Sequence, residues 1–359
     1  MERYKIFLAA ILLFFLLIMG DQGVIAQGTV KLDADTKKEV VNKVAGFMKD
    51  YYVFPGIGEK MGAYIKTKHN NGDYNSYNDV KEFCKRVTAD LREICHDKHI
   101  FVFYSPEEAR EVAARKKLLP AEEIEKMNKM YFEMDRRANF GFNKVEILDG
   151  NIGYLDLNYF SASDYACETA VGAMRFLSCS DAIIIDMRSN GGGGGGGVGS
   201  VLATYFFDVE QVRLSGAYFR STNTIRQSWT LPYVPGKRMP DIDLYILTSS
   251  RTFSAAEDFC YSLKHLKRAV IVGESTKGGA HPVDVMIVKG SILTQISIGN
   301  SVNPITNSNW EGVGVKPDVE VPAEKALETA HLLALKNLLK KATDDALKQK
   351  LRSLIKRKE

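Results

Sequence analysis

Three times between Val40 and Ile94 the apolar residues recur at helical spacing. Val40, Val44, Phe47, Met48 and Tyr51 share one face, and this helix must stop before Pro55, which pushes its predecessor out of the α region. Ile57, Met61, Tyr64 and Ile65 form a second face. The third helix, capped by Asn78, carries Val80, Phe83, Cys84, Val87, Leu91 and Ile94. Together they predict a small helical domain over 27–98. Beyond it the period changes. Ile100–Tyr104 reads as a strand, and Pro106–Arg137 as exposed helix. Then strands and helices alternate: strand at Ile152–Leu157, helix at Asp164–Leu177, strand at Ile183–Asp186, helix at Val198–Phe207, strand at Leu244–Thr248, helix at Ser254–Leu266 and strand at Ala269–Val272. This order predicts an α/β core with helices packed on a sheet, running over 99–325. Two β-rich stretches, Val283–Val288 and Ser291–Ile298, follow, and a helical tail occupies 326–359. No internal repeat is present.

Composition narrows the function. The 359 residues are 45% hydrophobic, enough for one large domain and a small one, and the formal net charge is only +4. Lys336–Glu359 holds nine Lys/Arg against three acids, which reads as the solvated face of a helix. No basic stripe interleaved with aromatics argues for nucleic acid. Residues 1–26 read as a signal peptide: Arg3 and Lys5, the apolar run Ile6–Met19, then Val24-Ile25-Ala26. An exported protein is expected (periplasmic, secreted or attached to the cell envelope), with no stable membrane span after cleavage. Cys84, Cys95, Cys167, Cys179 and Cys260 are odd in number and irregularly spaced, so neither a disulfide framework nor a zinc site is implied. His265 and His331, in charge-rich helices, read as surface residues.

The candidate chemistry lies where strands end. Seven glycines, Gly191–Gly197, follow the strand that ends at Asp186. Bare backbone amides there suit a phosphate or a developing oxyanion. Gly191, Gly193 and Gly196 satisfy G-x-G-x-x-G, but any glycine run does so, and no Lys-Ser/Thr follows. Nucleotide binding is thereby disfavoured and no cofactor is expected. After the strand ending at Thr248, Ser254-Ala-Ala-Glu257 opens a helix. It is a capping box, and it also puts a serine hydroxyl in the positive field of a helix N-terminus. Such a serine needs a base. His69, His96, His99 and His281 lie outside the charge-rich helices, and position alone does not choose among His96, His99 and His281.

Four stretches in this order resemble the tail-specific (C-terminal-processing) serine peptidases: Ile185-Asp-Met-Arg-Ser-Asn-Gly-Gly-Gly, Ser249-Ser-Arg-Thr-Phe-Ser-Ala-Ala-Glu, Arg268 through Ala280, and Trp310-Glu-Gly-Val-Gly-Val-Lys-Pro-Asp-Val. The helical region with Tyr52-Val-Phe-Pro resembles the branch of the interphotoreceptor retinoid-binding protein. The resemblance implies a crotonase/ClpP-like α/β (α+β) core, peptide or protein substrates, no cofactor or metal, and an oligomeric state left open. It puts the nucleophile at Ser254. Gly279 stands where the dyad branch has its lysine, and Lys277 lies two residues earlier as the alternative base. The tricorn-like branch instead implies His99 as base and Glu311 as its orienting acid. Gly191, Gly192 and Gly193 with Ala255 would form the oxyanion hole. Asp186 and Arg188 read as structural. About 50 residues separate His99 from Ile152, too few for the family's PDZ module. The rival reading is a non-proteolytic protein that binds apolar ligands or peptides on the same fold.

Overall fold

The structure, a computed structural model, describes residues 32–194 and 197–359. The expected signal peptide, and Gly195 and Gly196 of the glycine run, lie outside the described residues. The chain runs α1 (Ala34–Tyr51), α2 (Pro55–Asn70), α3 (Val80–Cys95), β1 (Phe101–Tyr104), α4 (Pro106–Arg115), α5 (Ala121–Arg137), β2 (Phe142–Leu148), β3 (Ile152–Leu157), α6 (Asp164–Leu177), β4 (Ala182–Asp186) and α7 (Gly197–Thr204). It continues with β5 (Arg213–Phe219), β6 (Thr224–Trp229), β7 (Asp243–Thr248), α8 (Ala255–His265), β8 (Val270–Gly273), β9 (Val283–Lys289), β10 (Ile292–Ser297), β11 (Gly299–Ser301), β12 (Val319–Glu320), α9 (Ala326–Lys341) and α10 (Asp345–Lys358). Asp79, not Asn78, caps α3; its carboxylate accepts from the Glu82 amide at 2.9 Å.

A six-stranded sheet, ordered β12-β8-β7-β4-β3-β2, forms the centre. Only the β2–β3 pair is antiparallel. Its inner strands are apolar on both faces, as parallel strands covered by helices must be. Ile183, Ile185 and Ile246 pack with residues of α6, α7 and α8. Ala182, Ile184, Tyr245 and Leu247 pack with α9 and α10. The basic tail is thus amphipathic. Leu351, Leu354 and Ile355 are buried against the sheet, while Lys356 and Arg357 face solvent. His331 is buried there too, its Nε2 2.7 Å from the Asp149 carbonyl, so the expected surface position is wrong. Charged neighbours mark the outer face of α9, and His331 lies on the inner one.

A second sheet, β1-β10-β9, is covered by α1, α2 and α3. Val102, Met286, Val288, Ile292 and Ile296 share one core with the helical residues Val40, Met48, Met61 and Leu91. The N-terminal helices therefore pack on strands contributed from residues near 100 and near 290. The stretch between His99 and Ile152 is taken up by β1, α4, α5 and β2. All five cysteines are free, with Cys84 and Cys260 buried. Among the described residues, no helix is long and apolar enough to cross a membrane.

Candidate active site

The glycine loop leaves the carboxyl end of β4, and the Ser249–Ser254 turn leaves the carboxyl end of its neighbour β7. In open α/β sheets, ligands gather at the carboxyl ends of the strands. The two loops are stitched together. Thr252 Oγ1 donates to the Met187 carbonyl at 2.8 Å, Ser249 Oγ to the Arg188 carbonyl at 2.6 Å, and the Phe253 amide to the Asn190 carbonyl at 3.0 Å. Asn190 Nδ2 fixes the other side on the Leu157 carbonyl at 2.9 Å. Asp186 is buried and takes Tyr154 Oη at 2.8 Å and Arg188 Nη2 at 2.5 Å, a structural pair behind the loop.

Ser254 stands at the N-cap of α8 with φ 55° and ψ −119°. A Cβ on Gly192 would lie 2.8 Å from the Ser254 Cβ and 3.1 Å from the Ala255 nitrogen, so the loop can approach the serine this closely only as glycine. The Gly192 amide itself is taken: it donates to Asn190 Oδ1 at 2.9 Å. Gly193 pairs with Phe160 as an isolated parallel bridge. Ala255 is the first helical residue, and the first N–H groups of a helix have no partner within it.

Glu257 does reach back as the capping box predicts, but it does more. Its carboxylate accepts from the amides of Ser254 (2.8 Å), Gly278 (2.6 Å) and Gly279 (2.9 Å), and from Thr276 Oγ1. It thereby fastens the Thr276–Gly279 strap to the serine turn. Burial pushes its pKa up to about 7 against these four donors.

The strap brings His99 in. A Cβ on Gly279 would lie 2.2 Å from Phe253 Cε2 and 2.6 Å from His99 Cε1. The imidazole and the Phe253 ring are 4.5 Å apart, centre to centre. His99 is buried, and its Nδ1 has no hydrogen-bond partner among the described residues. Burial pushes its pKa down to about 4. His96, by contrast, is an exposed αL C-cap of α3. Lys277 is exposed, and its Nζ lies 4.6 Å over the Phe253 ring. Burial of part of the side chain, with Arg92 and Lys98, lowers its pKa.

Beside His99 lies a buried cluster whose membership the sequence did not reveal. Asp97 Oδ1 accepts from the His99 amide at 2.8 Å, and its Oδ2 meets His281 Nδ1 at 3.0 Å and Tyr52 Oη at 3.2 Å. Glu311 Oε2 is 3.6 Å from His281 Nδ1 and accepts from the Ala280 amide at 2.5 Å. Glu311 Oε1 is secluded and has no partner among the described residues. Burial works against every charge here. Even so, Asp97 is held below the usual carboxylate range by His281, and His281 is held above its usual value by Asp97 and Glu311. Glu311 is pushed up by burial. The ligand atoms of Asp97, His281 and Glu311 lie within 4.8 Å of one another, a spacing a cation could use. A protonated His281 supplies that positive charge from within the chain. The signal for Asp97 was its place two residues before His99; nothing local pointed His281 at it.

Residues 151–321 match the model of peptidase family S41, and 26–140 match the N-terminal domain of that family in the eukaryotic interphotoreceptor retinoid-binding protein. Among solved structures, a protein of Parabacteroides merdae provisionally named a peptidase is 17% identical over 86% of this chain and 98% of its own, with a TM-score of 0.57. A lipoprotein of Streptococcus agalactiae is 13% identical over 88% and 99%, with a TM-score of 0.52. Both share the fold. The photosystem II D1 C-terminal processing protease is 24% identical over 48% of this chain, with a TM-score of 0.38, and the match spans only 43% of that protein. With two adjoining family models covering most of its length on the expected fold, the chain belongs to the serine peptidases of family S41.

Proposed function

We propose that the protein hydrolyses peptide bonds through an acyl-enzyme on Ser254, with His99 as base and Glu311 as its orienting acid. The observation that carries this reading is the fit around Gly279. A side chain there would strike both the His99 imidazole and Phe253, the residue before Ser254. The space a lysine side chain would need at this position, where the dyad branch has its lysine, is therefore taken by the His99 imidazole and the Phe253 ring. A base must be unprotonated to act, and burial keeps His99 neutral through the physiological range. His99 Nδ1 and Glu311 Oε1 are each secluded and without a partner among the described residues, while Glu311 Oε2 lies 3.6 Å from His281 Nδ1. Their pairing as substrate binds would complete the triad logic.

Ser254 Oγ attacks the carbonyl carbon while His99 takes its proton. The oxyanion is received by the amides of Ala255 and of the glycine loop, with Gly193 the better donor because Gly192 is already engaged. Collapse breaks the C–N bond, and His99 returns the proton to the leaving amine. Water, deprotonated by His99, then releases the acid and restores Ser254. Residues 1–26 support export as the setting.

Labelling with a fluorophosphonate tests nucleophile and base together. Wild type and Lys277→Ala are expected to label; Ser254→Ala and His99→Ala are not. Full labelling of Ser254→Ala would end this reading, loss in Lys277→Ala alone would move the base to that lysine, and no labelling of wild type would favour a binding protein.

A further inference from the structure

One face of α8 repeats as Ala255, Asp258 and Ser262, one helical turn apart. These residues line a cavity of about 70 Å³ together with Phe160, Leu214 and Phe259. Two of the walls tie it to the site. Ala255 is the proposed oxyanion donor, and Phe160 is the bridge partner of Gly193. In a tetrahedral intermediate the carbon bearing the oxyanion also bears the P1 residue, so a cavity beside the oxyanion donors receives the P1 side chain.

The lining is largely apolar; Ser200 and Ser228 in it are 3.0 Å apart, hydroxyl to hydroxyl, which leaves Asp258 and Ser262 as its other polar side chains. Asp258 Oδ2 accepts from Ser215 Oγ at 3.0 Å, while Oδ1 is secluded and has no partner among the described residues. Ser262 Oγ, on a residue only 3% exposed, is likewise secluded and unpartnered. A secluded carboxylate oxygen without a donor is costly, of order 1–3 kcal/mol or more, and burial pushes the Asp258 carboxyl up to about 6. No donor reaches this Asp258 oxygen among the described residues, the Ser262 hydroxyl included, and a cation would supply both the donor and the missing charge.

We propose that this cavity is the P1 pocket and that it selects lysine, with Asp258 as the counter-charge and Ser262 as a second acceptor. The assignment rests on the serine-peptidase reading above. A water position needs roughly 10–15 Å³, so the cavity admits about five to seven heavy atoms in file. The lysine side chain is an apolar stem for the Phe160 and Phe259 walls ending in three rotatable donors. Acceptors one helical turn apart suit an ammonium set between them. Arginine reaches the upper limit of the volume, and its planar fork wants two acceptors side by side.

Fluorogenic peptides differing only at P1 (lysine, arginine, leucine, alanine) test this against wild type, Asp258→Asn and Ser262→Ala. Wild type is expected to favour lysine over leucine by about a hundredfold in kcat/KM. Asp258→Asn should bring that ratio to within about threefold of unity, and Ser262→Ala should lower it less. A purely structural Asp258 would depress all four substrates together and leave the ratio intact, which overturns the assignment. Wild type that labels with fluorophosphonate yet prefers leucine or alanine also overturns it, while leaving the peptidase reading standing. Wild type that neither labels nor cleaves removes both.

Discussion

Replacing Gly279 by alanine adds one methyl group against both the His99 and the Phe253 rings. The backbone there tolerates it, since Gly279 does not have the positive φ that would strain a side chain. The neighbours do not. Ordinary contact with a Cβ begins at 3.4 Å, and His99 Cε1 would lie at 2.6 Å and Phe253 Cε2 at 2.2 Å. The two rings must therefore retreat by roughly 0.8 Å and 1.2 Å, the differences between 3.4 Å and these distances. His99 has little space to give: it is buried, and its main chain is pinned by Asp97 and by Gln295, whose Nε2 donates to the His99 carbonyl at 2.7 Å; Phe253 is half-buried with its main chain tied to Asn190. Overpacking of this kind costs about 1–3 kcal/mol of stability. A catalytic group displaced by about 1 Å loses on the order of a hundredfold in rate. Hence Gly279→Ala should fold, with a lowered denaturant midpoint, and lose about a hundredfold in kcat on a peptide substrate. Gly172→Ala is the control. It lies in α6 with nothing within 4 Å of the added methyl, so it should gain up to about 1 kcal/mol and keep its rate. If Gly279→Ala retained kcat within threefold while folded, His99 would not be working at the position described, and the argument for it as base would fail.

Other expectations follow from the buried charges. With the His99 pKa near 4, the acid limb of kcat/KM should fall near pH 4 rather than near 6.5; a limb on the alkaline side of neutrality would point to Lys277 instead. His99 also links stability to pH. Its folded pKa is depressed, so the unfolded chain binds the proton first, and His99 contributes a loss on the order of 3 kcal/mol as pH falls from about 6.5 to 4, measurable in urea midpoints. Glu257→Gln turns an amide NH₂ towards at least one backbone N–H in either orientation, and should cost about 3 kcal/mol by the same assay; an unchanged midpoint would refute the account of the strap. Asp186→Asn leaves the half-buried Arg188 guanidinium without its carboxylate, and a loss of about 3 kcal/mol is expected in the urea midpoint.

The central sheet was legible because its strands are short apolar runs separated by helical periods, a pattern that the burial on both faces enforces. The β5–β6 hairpin was not. Thr224–Trp229 is almost wholly exposed, so its strand character comes from pairing with β5 and leaves no apolar alternation to read. β2 was missed for a related reason, being an edge strand with exposed Asn143, Lys144 and Ile147. Ser254, the glycines and Glu257 sit in local motifs whose spacing carries their geometry, and these were readable. His281 was not resolved, because its partners Asp97 and Glu311 come from distant segments of the chain and meet it only in the fold. Asp258 and Ser262 escaped because a polar residue on an amphipathic helix looks solvent-facing until the neighbouring strands close over it.

The backbone at Ser254, with φ 55° and ψ −119°, is one that a residue with a Cβ enters only under strain, at a cost of order 1–3 kcal/mol. Glycine enters it freely. The chain therefore holds its proposed nucleophile against its own stability, and Ser254→Gly should melt above wild type while losing all reaction with the fluorophosphonate. Descent towards an inert binding protein is thermodynamically downhill from here. One codon change would relax the turn, raise the melting temperature and leave the surrounding fold in place, so the strain at this single residue is separable from the rest of the chain's stability.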